Sequence, residues 1–330
     1  MLCLEQLMKQ EDLTEEQCYA ALQEILTGAN PHQTAAFLAL MRAKGETAAE
    51  LAGVIKAMEE KMIPVALSIP VLDIVGTGGD GAHTLNISTG SAILAASCGV
   101  KIAKHGNRSV SSLCGSADVL EALGIRIDMS AREVKSCVEE IGIGFMFAPH
   151  FHPAMQQVKE VRSALKMRTL FNLVGPLLNP AHARHRMVGV AHAELLKPFA
   201  ELLAGEQRGR SLVFHGCGLD EISCVGPAQV IEINGKEMRE FTLDPLELGL
   251  PRCALSDLRG GDAKQNSKHL LRIFSGEKSA AADTLALNAA CALYVYGSAP
   301  SIQEGLAIAQ QSLKEHKAMQ LIEKWRNYDQ

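Results

Sequence analysis

The sequence predicts an α/β protein in two parts, a small all-helical domain and a larger α/β domain with a central, mainly parallel sheet flanked by helices. Three observations predict it. No strand-like run precedes Ile69. From residue 70 onward, short apolar runs alternate with helix-length segments, the pattern of βαβ units. The chain has 330 residues, enough for one large α/β unit or for two domains. The expected boundaries are 1–68 for the helical domain, joined by part of 150–180, and 69–330 for the α/β domain without that insertion.

The elements follow in order. Leu4, Leu7 and Met8 make one short amphipathic turn. Thr14, followed by Glu15, Glu16 and Gln17, opens a helix whose apolar face runs through Tyr19, Leu22 and Leu26 to a stop at Gly28. Pro31 opens the next helix, which ends near Gly45, and Thr47 caps a third with Leu51, Ile55 and Met58 on one face. VLDIV (71–75) reads as a buried strand, with a helix over 89–98 capped by Ser88. VKIA (100–103) is the second strand, followed by a short helix over 116–123. Ser130 and Glu133 form a capping box for a helix over 131–140, and GFMFA (144–148) is the third strand. The stretch from His150 to Asn172 reads as helix, leaving the sheet to pack with the N-terminal helices. Strands return at 187–190 and 211–214, and Asn234–Gly235 marks a two-residue hairpin. From Ser279 the chain is helical again.

Composition excludes some functions. The net charge is −5 and aromatic residues are only 4%, which argues against a general polyanion binder and against stacking surfaces for single strands. No nucleic-acid partner is expected. No run of about 18 apolar residues occurs, so no membrane partner is expected. The N-terminus lacks the apolar core of a signal peptide. Nine cysteines, an odd number with no C-x-x-C, read as reduced thiols in a cytoplasmic protein.

Four features carry chemistry. Gly76-Thr77-Gly78-Gly79-Asp80-Gly81 directly follows a strand, and glycines there let backbone N–H groups approach an anion closely. It also matches G-x-G-x-x-G, but no helix opens at once, and the next strand ends in Lys104-His105 rather than an acid, so a dehydrogenase reading fails. No G-K-[ST] follows, which excludes a P-loop. The second feature is Lys104-His105-Gly106-Asn107-Arg108 with Ser109, Ser111, Ser112 and Ser116, at the strand edge where open parallel sheets bind ligands. Together the two loops form a two-sided anion cradle. The third is Asp220-Glu221, adjacent carboxylates able to bind Mg²⁺, with Asp80 and Ser88 as further oxygen donors. The fourth is the segment with His152, Arg162 and Arg168, in which one arginine could clamp a carboxylate. No G-x-S-x-G occurs and the histidines form no metal triad. The residues alone point to a phosphate-rich substrate, a divalent metal and a second ligand held by basic groups.

DIVGTGGDGAHTLNISTGSA (73–92), KHGNRSVSSLCGSADVLEALG (104–124), FHPAMQQVKEVRSALKMRTLFNLVGPLLNPA (151–181) and GLDEIS (218–223) together resemble the anthranilate phosphoribosyltransferases, in the right order and over nearly the whole chain. The resemblance implies a nucleoside-phosphorylase-like fold and transfer of the phosphoribosyl group of phosphoribosyl pyrophosphate (PRPP) to anthranilate, in tryptophan biosynthesis. It implies two Mg²⁺ ions and a homodimer joined through the helical domain. PRPP would be held by Gly76, Thr77, Gly78, Gly79, Asp80, Thr84, Asn86, Ser88, Thr89, Lys104, Asn107 and Ser116. Ser88, Asp220 and Glu221 would bind metal. Gly76, His105, Asn107, His152, Arg162, Gly175 and Pro176 would meet anthranilate. No single acid or base is implied, because the aromatic amine is already neutral. Two alternatives share the architecture: a pyrimidine-nucleoside phosphorylase, whose phosphate loop typically reads KHSTGG, and a non-enzymatic nucleic-acid-binding relative, which should lack GTGGD and the acidic pair and be basic. Two departures stand out: Leu178 where the family usually has Thr, and Arg186 where Gln is common.

Overall fold

A computed structural model describes residues 3–109 and 113–328. In chain order the helices are α1 (Leu4–Met8), α2 (Glu15–Leu26), α3 (Pro31–Lys44), α4 (Ala48–Glu59), α5 (Ile87–Ser97), α6 (Ser116–Ala122), α7 (Ala131–Ile141), α8 (Ala148–Phe151), α9 (Lys159–Leu165), α10 (Leu170–Val174), α11 (Leu196–Glu206), α12 (Ala263–Phe274), α13 (Ala280–Tyr296), α14 (Ile302–Lys314) and α15 (Lys317–Arg326). The strands are β1 (Leu72–Gly76), β2 (Ile102–Gly106), β3 (Ile143–Phe147), β4 (His185–Gly189), β5 (Arg210–Gly216), β6 (Ala228–Asn234) and β7 (Glu237–Leu243). They fall into two compact units, Met1–Pro64 with Pro149–Pro180, and Val65–Ala148 with Ala181–Gln330.

The first unit is helical. Thr14 and Gln17 close a reciprocal capping box on α2, and Thr47 and Glu50 do the same on α4. Glu50 is fully buried and does more than cap. Its carboxylate accepts from the Leu13 N–H at 2.8 Å and pairs with Lys44 Nζ at 3.0 Å, so the α1–α2 and α3–α4 turns are tied at one charged point. Helix α4 crosses α2 at Gly53, where a Cβ would lie 2.3 Å from the Glu15 carbonyl. The later segment is not the continuous helix its composition implies. It breaks into α8, a 3₁₀ turn over Pro153–Val158, α9 and α10. Pro153 withholds a donor, and Lys166 ends α9 in the left-handed region at φ 50°.

The second unit is built on one seven-stranded sheet in the order β3-β2-β1-β4-β5-β6-β7. The first five strands in that order run parallel, while β6 and β7 add an antiparallel hairpin turned at Asn234–Gly235. The strand-order reversal falls between β1 and β4, which pair from Leu72↔His185 to Gly76↔Gly189. Helices α5 and α13 are almost wholly buried, which their apolar composition all round requires. Two sequence expectations shift. The second strand is Ile102–Gly106, two residues later than VKIA, because Lys104 and His105 are buried strand residues rather than loop. Helix α5 starts at Ile87, with Asn86 rather than Ser88 at its N-cap and no side-chain capping bond. No helix among the described residues is long and apolar enough to cross a membrane.

Candidate active site

The second unit brings the candidate groups Gly76–Asp80, Lys104, His105, Asp220 and Glu221 to the C-terminal halves and ends of β1, β2 and β5, with Gly189 at the end of β4. After β1, the chain enters the glycine loop, where Gly78, Gly79 and Gly81 take φ of 66°, 81° and 72°, conformations costly to any residue with a Cβ. Thr77 anchors the loop: its N–H donates to the Gly189 carbonyl at 2.9 Å and its hydroxyl accepts from the Ala191 N–H at 3.1 Å. Asp80 turns back to accept from the Ala82 N–H at 3.0 Å.

The acidic pair reaches the loop through a tight turn. Gly216 and Leu219 exchange both backbone hydrogen bonds at 3.0 Å, and the central Cys217 and Gly218 both have positive φ, at 52° and 84°. The turn carries Asp220 over the ends of β1 and β4. Space for it exists because Gly76 and Gly189 lack side chains: a Cβ on Gly76 would lie 2.2 Å from Asp220 Oδ2, and one on Gly189 would lie 1.7 Å from the Asp220 carbonyl oxygen. Asp220 Oδ2 accepts from the Gly78 N–H at 2.6 Å, and Glu221 Oε1 accepts from the Ser88 N–H at 3.1 Å, in the first turn of α5. One carboxylate thus braces the glycine loop and the other braces the helix.

Both carboxylates are buried, each 8% exposed. Burial pushes the Asp220 carboxyl up, and the neighbouring Asp80 adds to the effect. Glu221 is pushed up by burial and by Asp220, and Lys104 opposes this. No cluster of three or more His, Cys, Asp or Glu side chains able to hold a metal occurs among the described residues. The donor set is nonetheless what a hard divalent cation takes when substrate oxygens complete its shell: two buried carboxylates whose charge the protein leaves only partly compensated.

The remaining sequence candidates are placed as follows. Lys104 is fully buried on β2, its ammonium donating to the Ile74 carbonyl at 2.6 Å beside Asp73 and Glu221. It lies under the strand ends as a buried counter-charge, rather than on the exposed loop that the sequence suggested. Burial pulls its pKa down and the two acids oppose this. His105 is also buried, and its N–H donates to Asp73 Oδ1 at 3.3 Å. Asn107 is exposed, and its carbonyl accepts from the Ser116 hydroxyl at 3.1 Å, closing the loop between β2 and α6. Ser111 and Ser112 lie outside the described residues. Asn86 donates to the Cys114 carbonyl at 3.0 Å. Thr84 forms an isolated antiparallel bridge with Arg259. Ser88 is partly exposed, and Thr89 is buried with its hydroxyl unpartnered among the described residues.

In the helical unit, Arg162 on α9 is partly buried over the Phe171 ring, 5.5 Å from its centroid, with no carboxylate paired to it among the described residues. Burial alone pulls its pKa down. A guanidinium desolvated without a counter-charge offers its N–H donors to an anion. Arg168 lies beyond the end of α9 and does not share its face. His152 is buried, and burial pulls its pKa down to about 4 against a smaller opposing effect of the Leu178 backbone, so it is neutral at pH 7. Gly175 and Pro176 form a 3₁₀ turn after α10. The departure at Leu178 therefore presents its backbone to His152. The departure at Arg186 is internal: the side chain is buried in the second unit and pairs with Glu206 at 2.8 Å. Sequence reasoning missed Gly189, Asp73 and Asn266. Only Gly189, a glycine closing an apolar strand, carried a local signal.

Residues 68–319 match the glycosyl transferase family, a/b domain, and residues 2–62 match the glycosyl transferase family, helical bundle domain. The chain is 45% identical over 328 residues to the anthranilate phosphoribosyltransferase of Chlamydia felis, covering 99% of this chain and 96% of that protein. A crystal structure of anthranilate phosphoribosyltransferase from Thermus thermophilus superposes with a TM-score of 0.92 at 41% identity, over 99% of this chain and 98% of that one. The Saccharomyces cerevisiae enzyme, solved in complex with PRPP and Mg, superposes with a TM-score of 0.90 at 29% identity, over 98% and 95% of the two chains.

Proposed function

The chain belongs to the anthranilate phosphoribosyltransferase family, and from that premise we propose that it transfers the phosphoribosyl group of PRPP to the amine of anthranilate, releasing diphosphate, as a step of tryptophan biosynthesis. The observation that carries this reading is the Asp220–Glu221 pair, buried against the glycine loop and the first turn of α5. A PRPP diphosphate would sit on the left-handed glycine loop and take the backbone N–H groups of Gly79, Asp80 and Gly81, since those of Thr77, Gly78 and Ala82 already serve Gly189, Asp220 and Asp80. Asp80, Thr84, Asn86, Ser88, Thr89, Lys104, Asn107 and Ser116, all in the same unit as that loop, would complete the PRPP site.

Ser88, Asp220 and Glu221 would hold Mg²⁺, two ions in all, which supplies positive charge to the departing diphosphate. The chain's own residues then orient and shield. The glycine loop fixes the diphosphate, so that cleavage at ribose C1 proceeds toward a held leaving group. Arg162 takes the anthranilate carboxylate, which presents the neutral amine as nucleophile. His152, Gly175 and Pro176 in the helical unit, and His105 and Asn107 in the second unit, are the further residues that would meet the aromatic acid. Neutral His152 offers a polar but uncharged surface, and no side chain needs to remove a proton before attack. We also propose a cytoplasmic homodimer joined through the helical unit. The cytoplasmic assignment is supported by nine free cysteines.

Calorimetric titration tests the binding half of this reading. PRPP should bind with Mg²⁺ and lose most of its affinity in EDTA, while NAD should not bind. Equal PRPP affinity with and without metal would remove the role given to Asp220 and Glu221.

A further inference from the structure

We propose that Asn266 is a positioning residue for PRPP, holding the Asn86 amide in the orientation that the phosphoribosyl site uses. The inference rests on the PRPP reading given above. Asn266 lies in the first turns of α12 and is 2% exposed. Its Oδ1 accepts from the Gly261 N–H at 2.7 Å. Its Nδ2 donates to Asn86 Oδ1 at 2.9 Å, and Asn86 Nδ2 donates to the Cys114 carbonyl at 3.0 Å.

Both ends of this relay are backbone groups of fixed polarity. A backbone N–H at Gly261 requires an oxygen from Asn266, and the carbonyl at Cys114 requires an NH₂ from Asn86. Neither amide can flip without setting two donors or two acceptors against each other. Asn86 sits at the N-cap of α5 yet makes no capping bond, because its side chain is committed to this relay. Beyond the relay the Asn86 amide keeps a second N–H, which lies near the Cys114 thiol, and a second lone pair, and Asn266 fixes the direction of both.

The same segment grips the backbone beside Asn86. The Leu85 N–H donates to the Leu258 carbonyl at 2.8 Å, and the Gly260 N–H donates to the His83 carbonyl at 2.9 Å. Gly260 makes that approach possible, since a Cβ there would lie 2.6 Å from the Thr84 carbonyl oxygen. The run from Leu258 to Asn266 is therefore a clamp on residues 83–86, far from them in sequence. It joins the glycine loop, the start of α5 and, through Cys114, the loop before α6.

The test is PRPP affinity, measured by calorimetry with Mg²⁺, for wild type, Asn266→Asp, Asn86→Ala and the double variant. Aspartate keeps the acceptor for Gly261 and suits a helix N-terminus, so the fold should persist. It places an oxygen against Asn86 Oδ1 and turns that amide away. Asn266→Asp should weaken PRPP by roughly ten- to a hundredfold, the size of one hydrogen bond to a charged group. KM for anthranilate should be nearly unchanged. In the Asn86→Ala background the same substitution should have little further effect, which a merely structural role would not produce. Asn266→Ser replaces Asn266→Asp if the latter fails to fold, with the same expectations. Wild-type affinity in a folded Asn266 variant, or an equal loss with and without the Asn86 amide, overturns the inference alone. Failure of the wild type to bind PRPP overturns the functional reading and the inference with it.

Discussion

Gly76→Ala is the sharpest probe of how the site is built. The added methyl would lie 2.2 Å from Asp220 Oδ2 and 2.8 Å from its Cγ. Ordinary contact begins near 3.4 Å, so the carboxylate must retreat by about 1.2 Å. It cannot do so and keep its 2.6 Å bond from the Gly78 N–H. The lost charge-assisted bond is worth about 1.5–3 kcal/mol, and a displacement of about 1 Å at a catalytic group costs on the order of a hundredfold in rate. The expected result is a drop of about two orders of magnitude in kcat/KM for PRPP, with a higher Mg²⁺ concentration needed for half-maximal rate. Steady-state kinetics across a Mg²⁺ series reads both quantities, and circular dichroism checks the fold. A folded Gly76→Ala enzyme with wild-type Mg²⁺ dependence and wild-type kcat/KM would refute the argument that this glycine exists to seat Asp220.

Three further outcomes are expected. Arg162→Ala should raise KM for anthranilate by roughly ten- to a hundredfold, the loss of one charge-assisted carboxylate contact, and leave KM for PRPP nearly unchanged; equal effects on both would remove the assigned role. Asp220→Asn should abolish Mg²⁺-dependent turnover while raising the thermal stability of the metal-free protein. The native carboxyl is held above its ordinary range, so its contribution is present at low pH and lost as pH rises through about 7, a loss the amide does not suffer. A melting temperature that gains more at pH 5 than at pH 8 would contradict this. His152 is held down to about 4 by burial, so the unfolded chain takes up its proton first as pH falls below 6.5. Wild type should lose up to about 3 kcal/mol from this residue between pH 6.5 and 4, and the difference in denaturation free energy between wild type and His152→Asn should change across that window, not above it.

The α/β class was readable because strand and helix periods alternate after residue 70 and because local signals are self-contained. The Thr14–Gln17 and Ser130–Glu133 boxes and the Asn234–Gly235 turn each state their structure within a few residues. The second strand was misplaced for the opposite reason. Lys104 and His105 look like loop residues, and only partners some 30 residues away, Ile74 and Asp73, make them strand interior. The stretch after His150 has helical composition, but Pro153 and the left-handed Lys166 divide it. Within the site, the glycine loop and the acidic pair were visible as motifs. That Asp220 rests on Gly76 and Gly189 was not, since the contact joins three strand ends. The tie between Asn266 and Asn86 spans 180 residues and leaves no periodic trace.

The central claim is phosphoribosyl transfer from PRPP to anthranilate, and the loss of anthranilate fluorescence tests it most directly. Purified protein with anthranilate, PRPP and Mg²⁺ should quench the signal with time, and omission of PRPP or addition of EDTA should stop the change. A constant signal in the complete mixture, from folded protein that still binds PRPP, would contradict the account and require a different nucleophile.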